Sequence, residues 1–217
     1  MAIIKKSNFA FKGRIGLNTA SIVHGVNILK GLPASVRNPR TSAQMDNRER
    51  FKTLSILASA FIAPSKIGLK NKAKQYGPLV TIADAFMKAN QGAVSVMGGE
   101  AEVDYGSLKC ALGNLPQAGF GNASFAEPQR VSVTYSTSAD MPGADAQDKV
   151  YLFLYQPDTK QGIMGAPSLR TTGTIEVRVP LTWTGLTVHC FGFAVGDGRE
   201  NKGMIAESTY IGTGIIG

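Results

Sequence analysis

The stretch Val150-Tyr151-Leu152-Phe153-Leu154-Tyr155 decides the fold of the second half of the chain. Apolar and aromatic residues fill it without a break, and turn-forming clusters lie on either side, at residues 140–145 and 156–160. A short apolar run between turn signals is typical of a strand in an antiparallel fold. The stretch therefore predicts a strand with Tyr151, Phe153 and Tyr155 in or near the core.

Similar short segments recur from residue 94 to the end of the sequence. We assign strands to residues 94–97, 105–112, 130–135, 150–155, 174–179, 186–195 and 205–211. Seven short strands separated by turns are typical of an antiparallel sandwich. Residues 93–217 are therefore predicted to form a β-sandwich of the immunoglobulin or fibronectin type, with Trp183 in its core and without a buried disulfide.

The first part of the chain predicts a hairpin followed by helices. Apolar residues alternate imperfectly over residues 8–30, with a polar break at residues 18–21, which favours a β-hairpin. The sequence Thr41-Ser42-Ala43-Gln44 has the form of a capping box, in which two side chains satisfy each other's backbone N–H groups. It predicts the start of a helix that runs to about Ala63 and is ended by Pro64.

The helical pattern continues to about residue 90. Apolar residues spaced by three and four predict one buried stripe on the first helix, and they are Phe51, Leu54, Leu57, Ala58 and Phe61. A short basic helix over residues 65–75 and an amphipathic helix over residues 78–90 follow. Residues 1–92 are thus predicted as a basic hairpin and helical region, and the fold class as α+β.

Charge is distributed unevenly along the chain. The 217 residues carry a net charge of +8, and residues 1–75 hold 14 basic and two acidic side chains, a balance of +12. The remainder therefore carries −4. This asymmetry indicates that the first part faces something negative, such as nucleic acid, an anionic surface or the acidic part of another copy. A solvated basic face without a partner is the alternative interpretation.

Composition excludes several classes of protein. With 43% hydrophobic residues the chain is too apolar for disorder, and no apolar run approaches the roughly 20 residues of a membrane helix. The first residues lack the pattern of a secretory signal, so we expect synthesis in the cytoplasm. No zinc motif uses the spacings of the cysteines and histidines, which are Cys110, Cys190, His24 and His189, so neither a metal nor a cofactor is predicted.

The candidates for catalysis are better explained as structural residues. His24 has no neighbouring carboxylate in the sequence to orient it. His189 and Cys190 are adjacent on a predicted strand, so their side chains point to opposite faces and cannot form a dyad. Cys110 follows Lys109, which would favour a reactive thiolate, but a small core residue is the better explanation.

The acidic residues allow a second alternative. Glu100, Glu102 and Asp104 alternate, as the charged residues of an edge strand do, with a weak calcium or magnesium site as the other interpretation. Asp140, Asp145 and Asp148 are typical of turns. Taken with the histidines and cysteines, these patterns predict that the protein is not an enzyme.

Several short motifs carry a family resemblance that spans nearly the whole chain. They are Phe11-Lys12-Gly13-Arg14-Ile15-Gly16, Arg37-Asn38-Pro39-Arg40-Thr41-Ser42-Ala43-Gln44, Arg50-Phe51, Ile67-Gly68-Leu69-Lys70-Asn71, Tyr105-Gly106-Ser107-Leu108, Val150-Tyr151-Leu152-Phe153-Leu154-Tyr155 and Val179-Pro180-Leu181-Thr182-Trp183-Thr184-Gly185. The chain resembles an uncharacterised domain-of-unknown-function family common in Bacteroidota genomes and their mobile elements. The stretch from Asn38 to Phe51 is also similar to one that recurs in small phage and prophage proteins. The resemblance implies a virion or mobile-element component and implies no activity.

Two hypotheses about function follow. In the first, a structural protein self-assembles or docks onto other virion or surface proteins through its basic N-terminal region. In the second, the same region binds nucleic acid through its phosphates, without reading the sequence. The residues expected to contact the partner or the phosphates are Lys5, Lys6, Lys12, Arg14, Arg37, Arg40, Arg48, Arg50, Lys70, Lys72 and Lys74. An apolar tail at residues 212–217, expected to be held by a partner, favours the first hypothesis. Two further functions, a binding module for some other partner and an enzyme, rank below both hypotheses.

Overall fold

The computed structural model describes residues 2–4, 12–23, 25–33, 35, 40–139 and 142–217. The chain forms two compact units, residues 1–44 and residues 45–217. The described residues contain four α-helices and several antiparallel sheets, with strands first, helices next and strands again at the end. The mixed class of fold is therefore confirmed, whereas the domain boundary predicted at residues 92 and 93 stays a prediction.

The first unit contains a four-stranded antiparallel sheet in the order β1-β4-β3-β2. Its strands are β1 (Ala2–Ile4), β2 (Gly13–Ile15), β3 (Asn18–Val23) and β4 (Val26–Gly31). Hairpins are present in this region, but residues 18–21, predicted as the break between the two arms of one hairpin, lie inside β3, which pairs with both β2 and β4. The reason is that backbone groups make the ladder whatever the side chain, so that Asn18 pairs with Gly31 and Val23 with Val26.

Four helices follow the first unit's strands, and they are α1 (Ser42–Ala60), α2 (Ile62–Gly68), α3 (Lys70–Tyr76) and α4 (Ile82–Ala89). The prediction that Pro64 ends the first helix is wrong, because Pro64 lies in the first turn of α2, where its missing N–H leaves no bond unmade. Pro64 instead interrupts the hydrogen bonding of the preceding turn, because proline has no N–H to donate to the Ala60 carbonyl. Helix α1 ends at Ala60. None of the helices in the described part of the chain has the length and apolar character needed to cross a membrane.

Two helix starts use side-chain caps. The Gln44 N–H donates to Thr41 Oγ1 at 3.4 Å, but the Gln44 side-chain oxygen accepts no bond from any described residue, so the predicted capping box is half formed. A complete box lies at α4, which begins at Ile82 and not at residue 78. There the Asp84 N–H donates to Thr81 Oγ1 at 3.1 Å and the Thr81 N–H donates to Asp84 Oδ2 at 3.0 Å.

The buried stripe of α1 is shorter than predicted. Leu54, Leu57, Ala58 and Phe61 are buried, whereas Phe51 is 62% exposed. None of residues 42–53 is buried, so the first three turns of α1 lie outside the core. The spacing of apolar residues identifies the face of a helix that turns inward, but not how far along the helix the core extends.

The described residues of the second unit form three separate antiparallel sheets. Their strands are β5 (Val94–Met97), β6 (Glu100–Val103), β7 (Phe120–Ser124), β8 (Arg130–Tyr135), β9 (Lys149–Gln156), β10 (Gln161–Met164), β11 (Ser168–Leu169), β12 (Thr174–Arg178), β13 (Thr187–Val195) and β14 (Thr209–Ile215). The largest sheet has the order β10-β9-β13-β14, with β11 also on β9, and the other two are β12-β8-β7 and β5-β6. The strand predicted over residues 105–112 is absent, because a 3₁₀ turn at Tyr105–Ser107 occupies its start.

Strands β9 and β13 are buried on both faces. On one face Leu152 and Leu154 belong to a core cluster that also contains residues of β8 and β12. On the other, Phe153 and Tyr155 belong to a cluster with Phe61 and other helical residues, and the Phe61 and Phe153 rings are 4.7 Å apart. The helical layer therefore packs on the largest sheet. The predicted core positions of Phe153, Tyr155 and Trp183 are confirmed.

The end of the chain is held by its own sheet. Residues 209–215 form β14, which pairs with β13, and Ile216 is buried. The expectation that residues 212–217 form a tail awaiting a partner is therefore wrong. The alternation of glycine with Ile and Thr conceals a strand, because Gly214 lies where a Cβ would overlap the Phe125 ring.

A buried polar cluster joins four loops. Asp148 Oδ2 accepts from Arg170 Nε at 3.1 Å, and Asp148 Oδ1 accepts from Asn201 Nδ2 at 2.7 Å. Arg170 Nη2 also donates to the Pro116 carbonyl at 3.1 Å. Asp148 is not an ordinary turn residue, because its carboxylate is fully buried and its partners fix the loops at one end of the strands.

Candidate docking cleft

Helices α2 and α3 carry a row of lysines on their outer side. Lys66, Lys70 and Lys74 are spaced by four residues, which places them on one face of a helix. The junction at Leu69 preserves this spacing, because the Leu69 N–H donates to the Ser65 carbonyl and the Leu69 carbonyl accepts from the Ala73 N–H, both at 2.9 Å. The three exposed lysines therefore form one row across two helices.

The opposite side of the two helices is packed closely on the rest of the unit. Gly68, Leu69 and Ala73 are buried. The Gly68 carbonyl accepts from the Leu112 N–H at 3.1 Å, and a Cβ at residue 68 would overlap Ala111. This close approach holds the lysine row in place.

The lysine row forms one wall of a cleft of about 350 Å³. The other wall comes from distant parts of the chain, and the apolar residues of the lining are Ile67, Val195 and Ile205. A smaller cleft of about 190 Å³ adjoins it, shares Asn71 and Ile205 with it, and contains Lys72. We call the larger one the lysine cleft. It combines an apolar surface with three lysine side chains.

The lysine cleft has a local excess of positive charge. The ion pairs of the described residues involve Lys52, Lys109, Arg130, Lys149 and Arg170, and none of them includes a lysine of the row. Lysines four residues apart repel one another, which costs a helix about 0.2–0.5 kcal/mol per pair. A ligand with two or more negative charges would remove this repulsion.

The sequence-predicted contact residues are not all brought together. Lys5, Lys6 and Arg37 lie outside the described residues. Lys12, Arg14 and Arg40 belong to the first unit and are exposed, and Arg14 Nε donates to the Gly16 carbonyl at 3.2 Å. Lys70 and Lys74 line the lysine cleft, and Lys72 lines its smaller neighbour.

Two predicted contacts lie on α1. Arg48 is exposed, with Nη1 3.9 Å from Met45 Sδ. Arg50 is half-buried, and its Nε donates to the Val94 carbonyl at 3.1 Å. Part of the Arg50 guanidinium therefore supports the β5–β6 hairpin.

Lys66 is a residue of the row that was not among the predicted contacts. Lys66 lines the cleft with Lys70 and Lys74, and its spacing of four residues from Lys70 was a readable signal. The apparent helix break at Pro64 obscured it. Val195 and Ile205 carry no signal in the sequence, because only the fold brings residues more than 120 positions apart against α2 and α3.

Comparison with known protein families gives a match that includes most of the largest sheet and the residues of the lysine cleft. The model of a family of unknown function, DUF6266, matches residues 10–212. The chain belongs to the DUF6266 family. The resemblance to an uncharacterised family is confirmed to that extent. No curated protein and no solved structure matches this DUF6266 chain.

The cysteines of this DUF6266 protein are core residues. Burial raises the pKa of the Cys110 thiol to about 12, far outweighing the opposing effect of Lys109. Burial likewise raises the pKa of Cys190 to about 12. Both thiols are protonated at neutral pH, so neither is a reactive thiolate.

His189 lies on the opposite face of β13 from Cys190, as predicted. Its ring stacks on Tyr105 with 3.8 Å between centroids, and its Nδ1 hydrogen-bonds the Tyr210 hydroxyl at 3.0 Å. Burial lowers the pKa of His189, so the neutral imidazole dominates at pH 7. Its partners are aromatic, which is the environment of a structural histidine.

The acidic residues of the DUF6266 protein lie on and beside a short hairpin. Glu100 and Glu102 are exposed on β6, in agreement with a charged edge strand. The carboxylate of Asp104 accepts from Ser107 Oγ and from the Gly106 N–H, and the bond from Ser107 lowers the pKa of Asp104. Among the described residues no three His, Cys, Asp or Glu side chains are close enough to hold a metal ion.

Proposed function

We propose that the protein is a non-enzymatic structural protein that self-assembles or docks onto other subunits through its basic N-terminal region. The observation that carries the proposal is the lysine row, in which three exposed lysines line one wall of a partly apolar cleft and form no ion pair within the described chain. Mutual repulsion makes such a row unfavourable in an isolated subunit, and an acidic surface relieves it. The partner is therefore a protein surface with both carboxylates and an apolar contact.

Two finer parts of the proposal rest on other grounds. The place of the protein in a virion or mobile element rests on the resemblance of residues 38–51 to phage and prophage proteins. An immunoglobulin- or fibronectin-like arrangement of the β12-β8-β7 sheet on the largest sheet is supported by the core cluster that takes side chains from both. Such a sandwich would be a rigid body on which the cleft is carried.

Nucleic-acid binding is the alternative function. The lysine row would follow a phosphate backbone, and its charge would attract any sequence. The lining of the lysine cleft provides no aromatic ring among the described residues, whereas proteins that bind single strands use aromatic rings to stack the bases. The apolar surface of the cleft therefore favours a protein partner.

Charge reversal at the cleft tests the proposal. We expect the wild-type protein to form large species in sedimentation velocity at about 0.1 M salt, and K70E/K74E to abolish them. The matched control is R178E/R199E, which changes net charge by the same amount at two exposed arginines that form no ion pair in the described chain. The control should assemble like the wild type.

Other outcomes decide between the alternatives. A wild-type protein that stays monomeric at high concentration, or equal loss in both variants, would contradict assembly through the cleft. Tight binding of any DNA or RNA by the wild type, lost in K70E/K74E and retained in R178E/R199E, would establish the nucleic-acid alternative instead.

A further inference from the structure

The β5–β6 hairpin projects a defined set of side chains from the second unit. Met97 pairs with Glu100 across the two strands, and Ser95 pairs with Glu102. Gly98 and Gly99 form the turn with φ of +63° and +86°, as a tight two-residue hairpin requires. Residues paired across a hairpin lie on the same face, so Ser95, Met97, Glu100 and Glu102 form one face. All four are exposed, Met97 to 78%.

The base of the hairpin is fixed. Val94 is buried in the core cluster of the helices, and Ala101 and Val103 pack against the same cluster. The Asp104 N–H donates to the Ala93 carbonyl at 2.8 Å, and Arg50 Nε donates to the Val94 carbonyl at 3.1 Å. The exposed face is therefore presented by a rigid element, which reduces the entropy lost when it binds.

The charges on this face have no cationic partner in the described chain. The ion pairs there involve other carboxylates, and Glu100 and Glu102 take part in none of them. One large apolar side chain lies beside two carboxylates. This composition is the complement of the lysine cleft, where an apolar lining lies beside three ammonium groups.

The spacing of the charges also matches. Two residues along a strand span about 6.7 Å, which separates Glu100 from Glu102. Four residues along a helix span about 6 Å, which separates Lys70 from Lys74. The flexible lysine side chains absorb the difference, so each carboxylate can meet one ammonium group.

We infer that the β5–β6 hairpin of one copy docks in the lysine cleft of a second copy, with Met97 on the apolar lining and Glu100 and Glu102 paired with the lysine row. The inference rests on the proposed self-assembly and names its partner surface. Because the hairpin and the cleft are different surfaces, the contact is heterologous, and each copy carries one hairpin and one lysine cleft. Repetition of such a contact produces rings or filaments.

A charge swap between two variants tests the docking. The K70E/K74E variant has an acidic hairpin and an acidic cleft, and E100K/E102K has a basic hairpin and a basic cleft, so each alone should remain monomeric. When the two are mixed, each hairpin meets a cleft of opposite charge. We expect the mixture to form species as large as the wild type's in sedimentation velocity, with the two variants alternating. Fluorescence of the buried Trp183 confirms that each variant is folded.

The possible failures are distinguishable. If K70E/K74E is monomeric but the mixture does not assemble, or if E100K/E102K alone assembles like the wild type, the hairpin is not the partner surface and the proposed assembly through the cleft survives. If the wild type is monomeric, both proposals fall. The uncharged variant M97S supplies a second check, because it should weaken assembly at least tenfold in concentration while leaving the unfolding temperature unchanged.

Discussion

Gly68 is the residue on which the position of the lysine row depends. A Cβ built there would lie 2.5 Å from the Cys110 carbonyl oxygen, which is fixed backbone. Alanine favours helices over glycine by up to about 1 kcal/mol, but overpacking a close contact costs about 1–3 kcal/mol. We therefore expect Gly68→Ala to destabilise the fold by about 1–2 kcal/mol, measured by urea unfolding. Gly92→Ala is the matched control, since that glycine has open space around its Cβ position, and it should change stability by less than about 0.5 kcal/mol. Equal effects of the two substitutions would contradict the close approach.

At the scale of single residues, the sequence predicts which side chains are buried better than it predicts which side chains form ion pairs or hydrogen bonds with each other. Trp183, Cys110 and Phe153 are recognisable as core residues from their type and neighbours, and each is fully buried. Asp148 is not recognisable as a buried residue from the sequence, because an aspartate in a turn normally faces water. Its burial depends on Arg170, which follows it by 22 residues and has no local signal of its own. Pairs of this kind are set by the fold of the loops, and periodicity contains no information about them.

Among the elements, the β5–β6 hairpin depends on a bond from α1. Arg50 Nε donates to the Val94 carbonyl, and a hydrogen bond from a charged donor contributes about 1.5–3 kcal/mol when buried and less when half-exposed. We expect Arg50→Met to speed amide hydrogen exchange across residues 94–103 by at least threefold. Arg48→Met removes the same charge from an exposed position of the same helix and should leave that exchange unchanged. Unchanged protection in both variants would show that the core residues of the hairpin hold it without Arg50.

The boundaries of elements were predictable where turn residues frame an apolar run. The strand predicted over residues 130–135 coincides with β8, and those over 174–179 and 186–195 differ from β12 and β13 by one residue at one end. The pattern of the sequence did not predict β7 or the bounds of β14, because each contains glycine, which weakens the strand pattern while allowing close packing, as Gly121 does against Thr134. Strands of this kind are specified by neighbouring elements more than by their own side chains.

For the whole molecule, the sequence shows that basic residues are concentrated in the first part of the chain, but only the fold places some of them at a cleft. Lys70 and Lys74 were predicted as contacts, but their opposite wall comes from Val195 and Ile205. The segment after residue 75 has a balance of −4, and its exposed Glu100 and Glu102 form one face of a hairpin. Charge segregation along the sequence thus predicts charged surfaces, and packing determines where they lie.

Two electrostatic effects bear on the proposed assembly, and screening each of them by salt changes assembly in opposite directions. Copies with a net charge of +8 repel one another over the Debye length, which is about 30 Å at 0.01 M salt and about 10 Å at 0.1 M. The proposed contacts between the lysine cleft and carboxylates are short, so we expect them to persist at 0.1 M and to be screened at 1 M, where the Debye length is about 3 Å. We therefore expect assembly, followed by light scattering, to be strongest near 0.1 M salt and weaker at both 0.01 M and 1 M.

The control variant R178E/R199E sharpens this prediction. Each Arg→Glu change lowers net charge by two, so the variant carries +4 where the wild type carries +8. Repulsion between copies scales with the square of the net charge and falls about fourfold, since Coulomb energy is a product of charges. The variant should therefore assemble better than the wild type at 0.01 M salt and equally well at 0.1 M. Assembly that rises steadily to 1 M salt in both proteins would instead indicate a contact made by apolar surface alone, with no contribution from the lysine row.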